Sequence, residues 1–265
     1  MRIFFKKILI ILSCFLITSC IHNYYVSPSS YDLSSPDLTI KTFISIIQSY
    51  SPSNLKQVGY FKSKEEADYF IKTIRNTNLP LLMNVNEALF AKNTIYPIGI
   101  KVLGSYPITD KEFIYLIFFN KPNLIYGTKP EILAFFTVKK VNNEWRIDFA
   151  VDYEAVKMHE KIRKKEKELI DLKFTLWKLK REYKRIKKMS LREIDLMRKR
   201  MYAKAYLLRN AEKTIKLSRR PQFKKQIEYF QRQSRIFYNM NLIDMKDYLL
   251  SQLKSKIELN ENLLK

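Results

Sequence analysis

From Tyr153 to Met189 the chain runs 37 residues without a glycine or a proline, and no other stretch limits the possible folds so strongly. Within it Ile162, Leu169, Leu172, Leu176, Leu179, Tyr183 and Ile186 fall on heptad a and d positions, with Lys165 the one polar residue at a d site. Alternating spacings of three and four predict a helix with a narrow apolar seam rather than a broad globular face. As one continuous helix the segment would extend roughly 55 Å. Such a seam cannot be buried by the helix that carries it, so a partner helix is required.

The sequence supplies candidates immediately. Ser190-Leu-Arg-Glu193 is a capping box that ends or bends the first helix and starts a second, with Ile194, Met197, Met201, Ala205, Leu208 and Ile215 on one face. Arg219-Arg220-Pro221 closes that helix. Phe223, Ile227, Phe230 and Phe237 mark a third, and Asn241 caps a fourth that carries Met245, Leu249, Leu250, Leu253 and Ile257. An all-α antiparallel bundle of helical hairpins is the expectation for residues 153–265. Its aromatic and methionine positions are read as core.

Upstream the pattern is different. Ser35-Pro36-Asp37 combines a capping hydroxyl, a proline at the first helical position and an acid in the first turn, ahead of Leu38, Ile40, Phe43, Ile46 and Ile47. Ser51-Pro52 opens a short helix, and the capping box Ser63-Lys-Glu-Glu66 leads into Ala67, Phe70, Ile71 and Ile74. A further turn or two of helix is expected around Leu81 to Ala91. Strand-forming runs follow at Ile98 to Tyr106, Glu112 to Asn120 and Glu131 to Val141. In the last run Trp145, Ile147, Phe149 and Val151 alternate with Glu144, Arg146, Asp148 and Ala150, which predicts one buried and one wetted face. Asn142-Asn143, both tolerant of positive φ, is a two-residue hairpin turn, and Thr109-Asp-Lys-Glu112 is a turn between strands. The expected sheet is antiparallel and the expected class of residues 36–152 is α+β.

Helices first, then a meander of long strands closing on Lys139 to Phe149 (Lys-Lys-Val-Asn-Asn-Glu-Trp-Arg-Ile-Asp-Phe), resembles the nuclear transport factor 2-like superfamily. The resemblance implies a cone in which N-terminal helices pack on a curved antiparallel sheet around a pocket, used by some members for catalysis and by others for binding. Enzymatic members place an Asp/His pair or an Asp base with a Tyr in that cone. Residues 36–152 contain no histidine, so the candidate pocket residues are Tyr106, Tyr115, Tyr126 and Asp148. Solvation or ion pairing is the simpler expectation for the carboxylate, and packing for the tyrosines. No G-x-S-x-G, H-E-x-x-H or Gly-rich phosphate loop occurs, and no cofactor or metal-site pattern is found. The sequence therefore predicts a protein that is not an enzyme.

Charge is unevenly placed. The whole chain carries net +23, but residues 21–152 hold 14 basic and 12 acidic residues, whereas 153–265 hold 32 and 14, net +18. The basic positions cluster as Lys161, Arg163, Lys164 and Lys165, then Arg181, Lys184, Arg185, Lys187 and Lys188, then Arg198, Lys199 and Arg200. A solvated helix face explains such clusters, and so does a Lys- and Asn-rich codon bias; an anionic phosphate surface is the functional alternative. His159 is expected at the surface of the long helix, and His22 in a linker.

The first 20 residues narrow that alternative. Arg2, Lys6 and Lys7 precede an apolar run from Ile8 to Ile17, too short to span a bilayer and typical of a secretory signal. It ends on Ile17-Thr18-Ser19-Cys20, which resembles the lipobox of bacterial lipoproteins. That resemblance implies diacylglycerol on the Cys20 thiol, cleavage between Ser19 and Cys20, and acylation such as palmitate on the new N-terminus. Cys14 would leave with residues 1–19, so no disulfide or Cys-ligated metal remains. The Ser- and Pro-containing segment 20–35 reads as a tether. With Ile21 rather than aspartate after the cysteine, the family rule favours the periplasmic face of the outer membrane where a cell has two membranes.

Nucleic acid is seldom available in that compartment and is not the expected partner. The expected function is that of a lipid-anchored envelope protein, a binding or scaffold module. Its basic helices would contact a partner protein, a second copy through 153–189, or an anionic lipid or polysaccharide. Two alternatives stay open: a carrier or pocket enzyme for a small apolar ligand, and nucleic-acid binding through 153–265.

Overall fold

The computed structural model describes residues 29–49, 52–75, 99–120, 131–149, 151–165, 169–217 and 220–264. The expected turns at Leu81 to Ala91, Tyr126, His22, and Ser19 and Cys20 with the rest of the signal lie outside them. The protein is α+β, with a five-stranded mixed sheet and, among the described residues, eight α-helices.

Helix α1 (Pro36–Gln48) starts as its sequence dictates: the Ser35 hydroxyl accepts from the Leu38 N–H at 3.2 Å, with Pro36 at the first position. A 3-10 turn (Pro52–Asn54), α2 (Leu55–Val58) and the two-residue strand β1 (Gly59–Tyr60) lead to α3 (Lys64–Arg75). The meander is β2 (Gly99–Thr109), β3 (Glu112–Asn120), β4 (Glu131–Val141) and β5 (Glu144–Asp148). Asn142 and Asn143 take φ of 50° and 65°, as a two-residue turn between right-twisted strands requires.

Strand order is β1-β5-β4-β3-β2, and β1 pairs with β5 in parallel through Gly59↔Ile147 and Tyr60↔Asp148. The sheet is thus mixed, not purely antiparallel. A two-residue strand following a helix has no periodicity to betray it. Gly59 permits the pairing because a Cβ there would lie 2.7 Å from the Phe149 ring and 2.9 Å from that of Phe61.

Each face of the sheet carries a buried core. On one, Tyr115, Ile117, Phe119, Ala134, Phe136, Val138, Trp145, Ile147 and Phe149 pack with α1 to α3. Phe43 meets Phe136 at 4.8 Å between ring centroids and Phe70 meets Phe149 at 4.6 Å, so aromatic rings fill the interior where the superfamily resemblance implied a pocket. On the other, Ile108, Ile114, Leu116, Phe118 and Leu133 form a second core with Ala203, Leu207, Leu208, Ala211, Leu217 and Phe223. The expected wetted face of β5 is also partly closed: Arg146 is only 1% exposed and bonds the Gln57 carbonyl and the Glu144 carboxylate.

The second layer comes from the C-terminal helices. These are α4 (Tyr153–Lys165), α5 (Ile170–Lys188), α6 (Leu191–Ile215), α7 (Pro221–Tyr238) and α8 (Leu242–Asn262). The expected boundary near residue 152 falls between β5 and α4, yet side chains from both sides of it share the second core. Helix α6 lies along β2 and β3, brought close by its alanines and by Gly104. That residue sits at a β-bulge with φ of 157°, and a Cβ there would lie 3.2 Å from Leu207.

The predicted continuous helix over 153–189 is two helices. Arg181 bonds both Asp152 carboxylate oxygens at 2.7 Å, and the His159 ring meets that of Phe174 edge-on at 5.0 Å. In one straight helix Asp152 and Arg181 would stand about 43 Å apart. The chain therefore reverses between α4 and α5. His159, expected at the surface, is half-buried against Phe174. The partner of the α5 seam is α8, running antiparallel: Lys180 pairs Glu261 at 2.6 Å and Lys246 donates to the Met189 carbonyl at 2.7 Å. The Ser190/Glu193 capping box and the Asn241 cap form as read.

Candidate functional site

The residues singled out from the sequence do not converge. Tyr115 faces the first core, where its hydroxyl donates to Asp37 at 2.6 Å; burial, then the Asp37 carboxylate, push its pKa above the ordinary range. Tyr106 and Asp148 project from the opposite face, at different places. Tyr106, Tyr115 and Asp148 do not share one cavity, and Tyr126 lies outside the described residues.

Asp148 belongs to a charged cluster where the second face is not covered by α6. The β1–β5 pairing sets Tyr60 beside Asp148, and the β4–β5 register sets Lys139 diagonal to it. Lys139 donates to Asp148 Oδ2 at 2.8 Å and to the Tyr60 oxygen at 3.2 Å, and Tyr60 donates to the same Oδ2 at 3.2 Å. Burial works against the Lys139 ammonium, but Asp148 and Tyr60 outweigh it and hold the amine above its ordinary range. Next along the face, Arg200 of α6 grips Glu112 with two bonds of 2.6 and 2.7 Å, the geometry of a strong bidentate pair. Lys204, one turn on, lies 5.5 Å from the Phe135 and Phe230 rings, and burial, then Arg200, lower its pKa.

A cavity of about 230 Å³ adjoins this cluster, lined by Tyr60, Phe61, Lys62, Glu66, Asp148 and Asp152 among others. Burial raises the Glu66 carboxyl, although it accepts the Lys62 N–H at 2.9 Å. Among the described residues no group of three or more His, Cys, Asp or Glu side chains is placed to hold a metal ion. Neither Tyr60 nor Lys139 stood out in the sequence. The signal available was the diagonal Lys139/Asp148 pair across the predicted Asn-Asn hairpin.

Tyr106 lines a second, larger groove of about 390 Å³ between β2, α6 and α7, with Arg198, Lys199, Tyr202, Ser234 and Tyr238. Its ring stands edge-on to Tyr202 at 6.0 Å and to Tyr206 at 5.3 Å. Here a predicted pocket residue meets two predicted basic residues. Arg198 and Lys199 both pair with Asp195, at 2.7 and 3.1 Å.

The basic positions divide into two groups. Arg181, Arg185, Arg198, Lys199 and Arg200 are held in ion pairs: Arg181–Asp152 ties α5 to the start of α4 and Arg200–Glu112 ties α6 to β3, whereas Arg185, Arg198 and Lys199 pair within their own helices. Lys161, Arg163, Lys164, Lys184, Lys187 and Lys188 are exposed on α4 and α5; the Lys165 side chain lies outside the described residues. Comparison of the chain with protein-family models, with curated proteins and with solved structures found no match.

Proposed function

We propose that the protein is a lipid-anchored envelope protein, cleaved between Ser19 and Cys20, diacylated on the Cys20 thiol and acylated at the new N-terminus. By the residue after the cysteine it belongs on the periplasmic face of an outer membrane where a cell has two membranes. The body acts as a non-enzymatic binding or scaffold module that presents basic helices to a partner protein or an anionic surface. One observation carries the reading: the lipobox Ile17-Thr18-Ser19-Cys20 behind a basic start and a short apolar run. Two structural facts support it: aromatic rings fill the space between α1 to α3 and the sheet, and exposed lysines line α4 and α5. The finer likeness to the transport-factor-like cone rests on element order, helices before a meander that ends in the Trp145 strand. A coiled-coil character is kept for α5 alone and rests on its pairing with α8.

The test is metabolic labelling with a palmitate analogue, followed by envelope fractionation. Label in the membrane fraction, lost in Cys20→Ser, is the expected result; an unlabelled protein overturns the reading. The Lys139–Asp148–Tyr60 cluster beside its cavity favours a second reading, a carrier or pocket enzyme. A saturable turnover or ligand uptake abolished by Asp148→Asn would select it.

A further inference from the structure

Two turns of the helical bundle meet at one end, the α5–α6 turn at Met189-Ser190 and the α7–α8 turn at Asn239 to Asn241. They are tied by Lys246 donating to the Met189 carbonyl at 2.7 Å and Arg198 to the Met240 carbonyl at 3.4 Å. Beneath them Ile186, Ile194, Phe237 and Met245 are buried. At the end itself the burial pattern inverts: Leu191 is 44% exposed, Ile243 60% and Tyr238 74%. Three large apolar side chains at one tip leave much of their surface uncovered by the described residues.

The charges around them are lopsided in a specific way. Lys184, Lys187, Lys188 and Arg192 are exposed and have no acidic partner among the described residues. The acids nearby are mostly engaged. Glu193 bends back onto the Ser190 N–H and hydroxyl at 2.7 and 2.8 Å, and Asp244 accepts from Asn241 at 2.6 Å. Asp195 is held by Arg198 and Lys199, Glu182 by Arg185, and Asp247 alone stands in solvent. The N-termini of α6 and α8 both lie at this end, and their partial positive charge offsets the capping carboxylates. An apolar point inside a cationic collar is the pattern of an interfacial membrane contact.

The tether leads to the same region. The backbone N–H of Lys140 donates to the Lys111 carbonyl at 2.9 Å and that of Trp145 to the Leu33 carbonyl at 2.8 Å, so Leu33 continues one rim of the sheet. Glu112 on that rim anchors Arg200, and Leu191 lies nine residues of helix beyond Arg200, roughly 14 Å. Ser29, the first described residue, is nine peptide steps from Cys20, and nine steps span at most about 30 Å. A lipid on Cys20 and the tip can therefore reach one plane.

We propose that this end of the bundle docks on an anionic phospholipid bilayer, with Leu191, Ile243 and Tyr238 entering the headgroup region. Lys184, Lys187, Lys188 and Arg192 hold the phosphates. The proposal rests on the lipid-anchor reading for its setting, and its test uses a chain without the anchor. Residues 20–265 with Cys20→Ser, which keep every described residue, are floated with vesicles of phosphatidylcholine alone or with one third phosphatidylglycerol.

Binding to the mixed vesicles only is expected, and Lys187→Glu/Lys188→Glu lowers it at least 25-fold, about five-fold or ~1 kcal/mol for each cation removed. Leu191→Ser/Ile243→Ser weakens it as well. Lys213→Glu/Lys216→Glu, near the opposite end of α6, leaves it unchanged; thermal melting confirms that each variant is folded. Equal losses from the two lysine pairs would make the attraction diffuse charge and overturn the proposal. So would absence of binding to the mixed vesicles, or tip-dependent binding to dextran sulfate without binding to vesicles. Failure here leaves Cys20 labelling untouched, and failure of labelling leaves the vesicle result untouched.

Discussion

Leu208→Ala tests whether the helices after residue 152 and the sheet form one cooperative unit. Leu208 is fully buried in the core that α6 shares with Ile114, Leu116 and Phe118. Truncating a buried leucine removes its transfer free energy and leaves a cavity, roughly 3 kcal/mol in a site this enclosed. For a chain of this size that loss moves the melting midpoint by roughly 6–12 °C. The two tryptophans make the readout regional, since Trp145 lies on β5 and Trp177 on α5. In residues 20–265 with Cys20→Ser and Trp177→Phe, Trp145 fluorescence reports the sheet, while far-ultraviolet circular dichroism reports mainly helix. Both signals should shift together by the same amount. A helical transition that moves while the Trp145 midpoint stays would refute the shared core and leave two independent domains.

Three further outcomes are expected. Gly59→Ala forces a methyl into the Phe61 and Phe149 rings, since Gly59 itself has an ordinary φ of −88°, and should cost about 1–3 kcal/mol by overpacking, read by chemical denaturation. Asn143→Val places a β-branched side chain at a φ of 65° and should destabilise by about 1–2 kcal/mol, whereas Asn143→Gly should be neutral or slightly stabilising. Asp148→Asn should cost about 1–2 kcal/mol at neutral pH by stranding the Lys139 ammonium. The Lys139 pKa is raised in the folded state above its ordinary 10.5, so the stability contributed by the pair is fully present below that pH and disappears as pH rises through the folded value. Melting curves of the two proteins should therefore converge in alkali; a constant gap up to alkaline pH would show that the pair contributes nothing through charge.

Much of the local structure was legible because it is set by near neighbours in sequence. The caps at Ser35, Ser190 and Asn241, the Asn142-Asn143 turn, and strands Glu112–Asn120 and Glu131–Val141 each follow from a few adjacent residues. What escaped depends on distant contacts. The reversal between α4 and α5 has no glycine or proline to mark it; it follows from α4 returning along α5 while α5 pairs with α8. The second buried face had a signal that period-two reasoning on β5 passed over: Phe113 to Phe119 on β3 is apolar at every position, as a strand covered on both faces must be. At the charged cluster Asp148 and Arg200 were visible but what they contact was not: Tyr60 reaches Asp148 through the parallel β1 pairing, and Arg200 reaches Glu112 from a helix that begins 43 residues after β5 ends.

The lipid anchor is the claim on which the functional account depends, and mass spectrometry of the N-terminal tryptic peptide of the protein purified from its native envelope tests it most directly. The account predicts a peptide from Cys20 to Lys41 carrying diacylglycerol on the thiol and an acyl chain on the amine. An unmodified peptide from Ile8 to Lys41, showing Cys14 and Cys20 retained in one uncleaved chain, would contradict it.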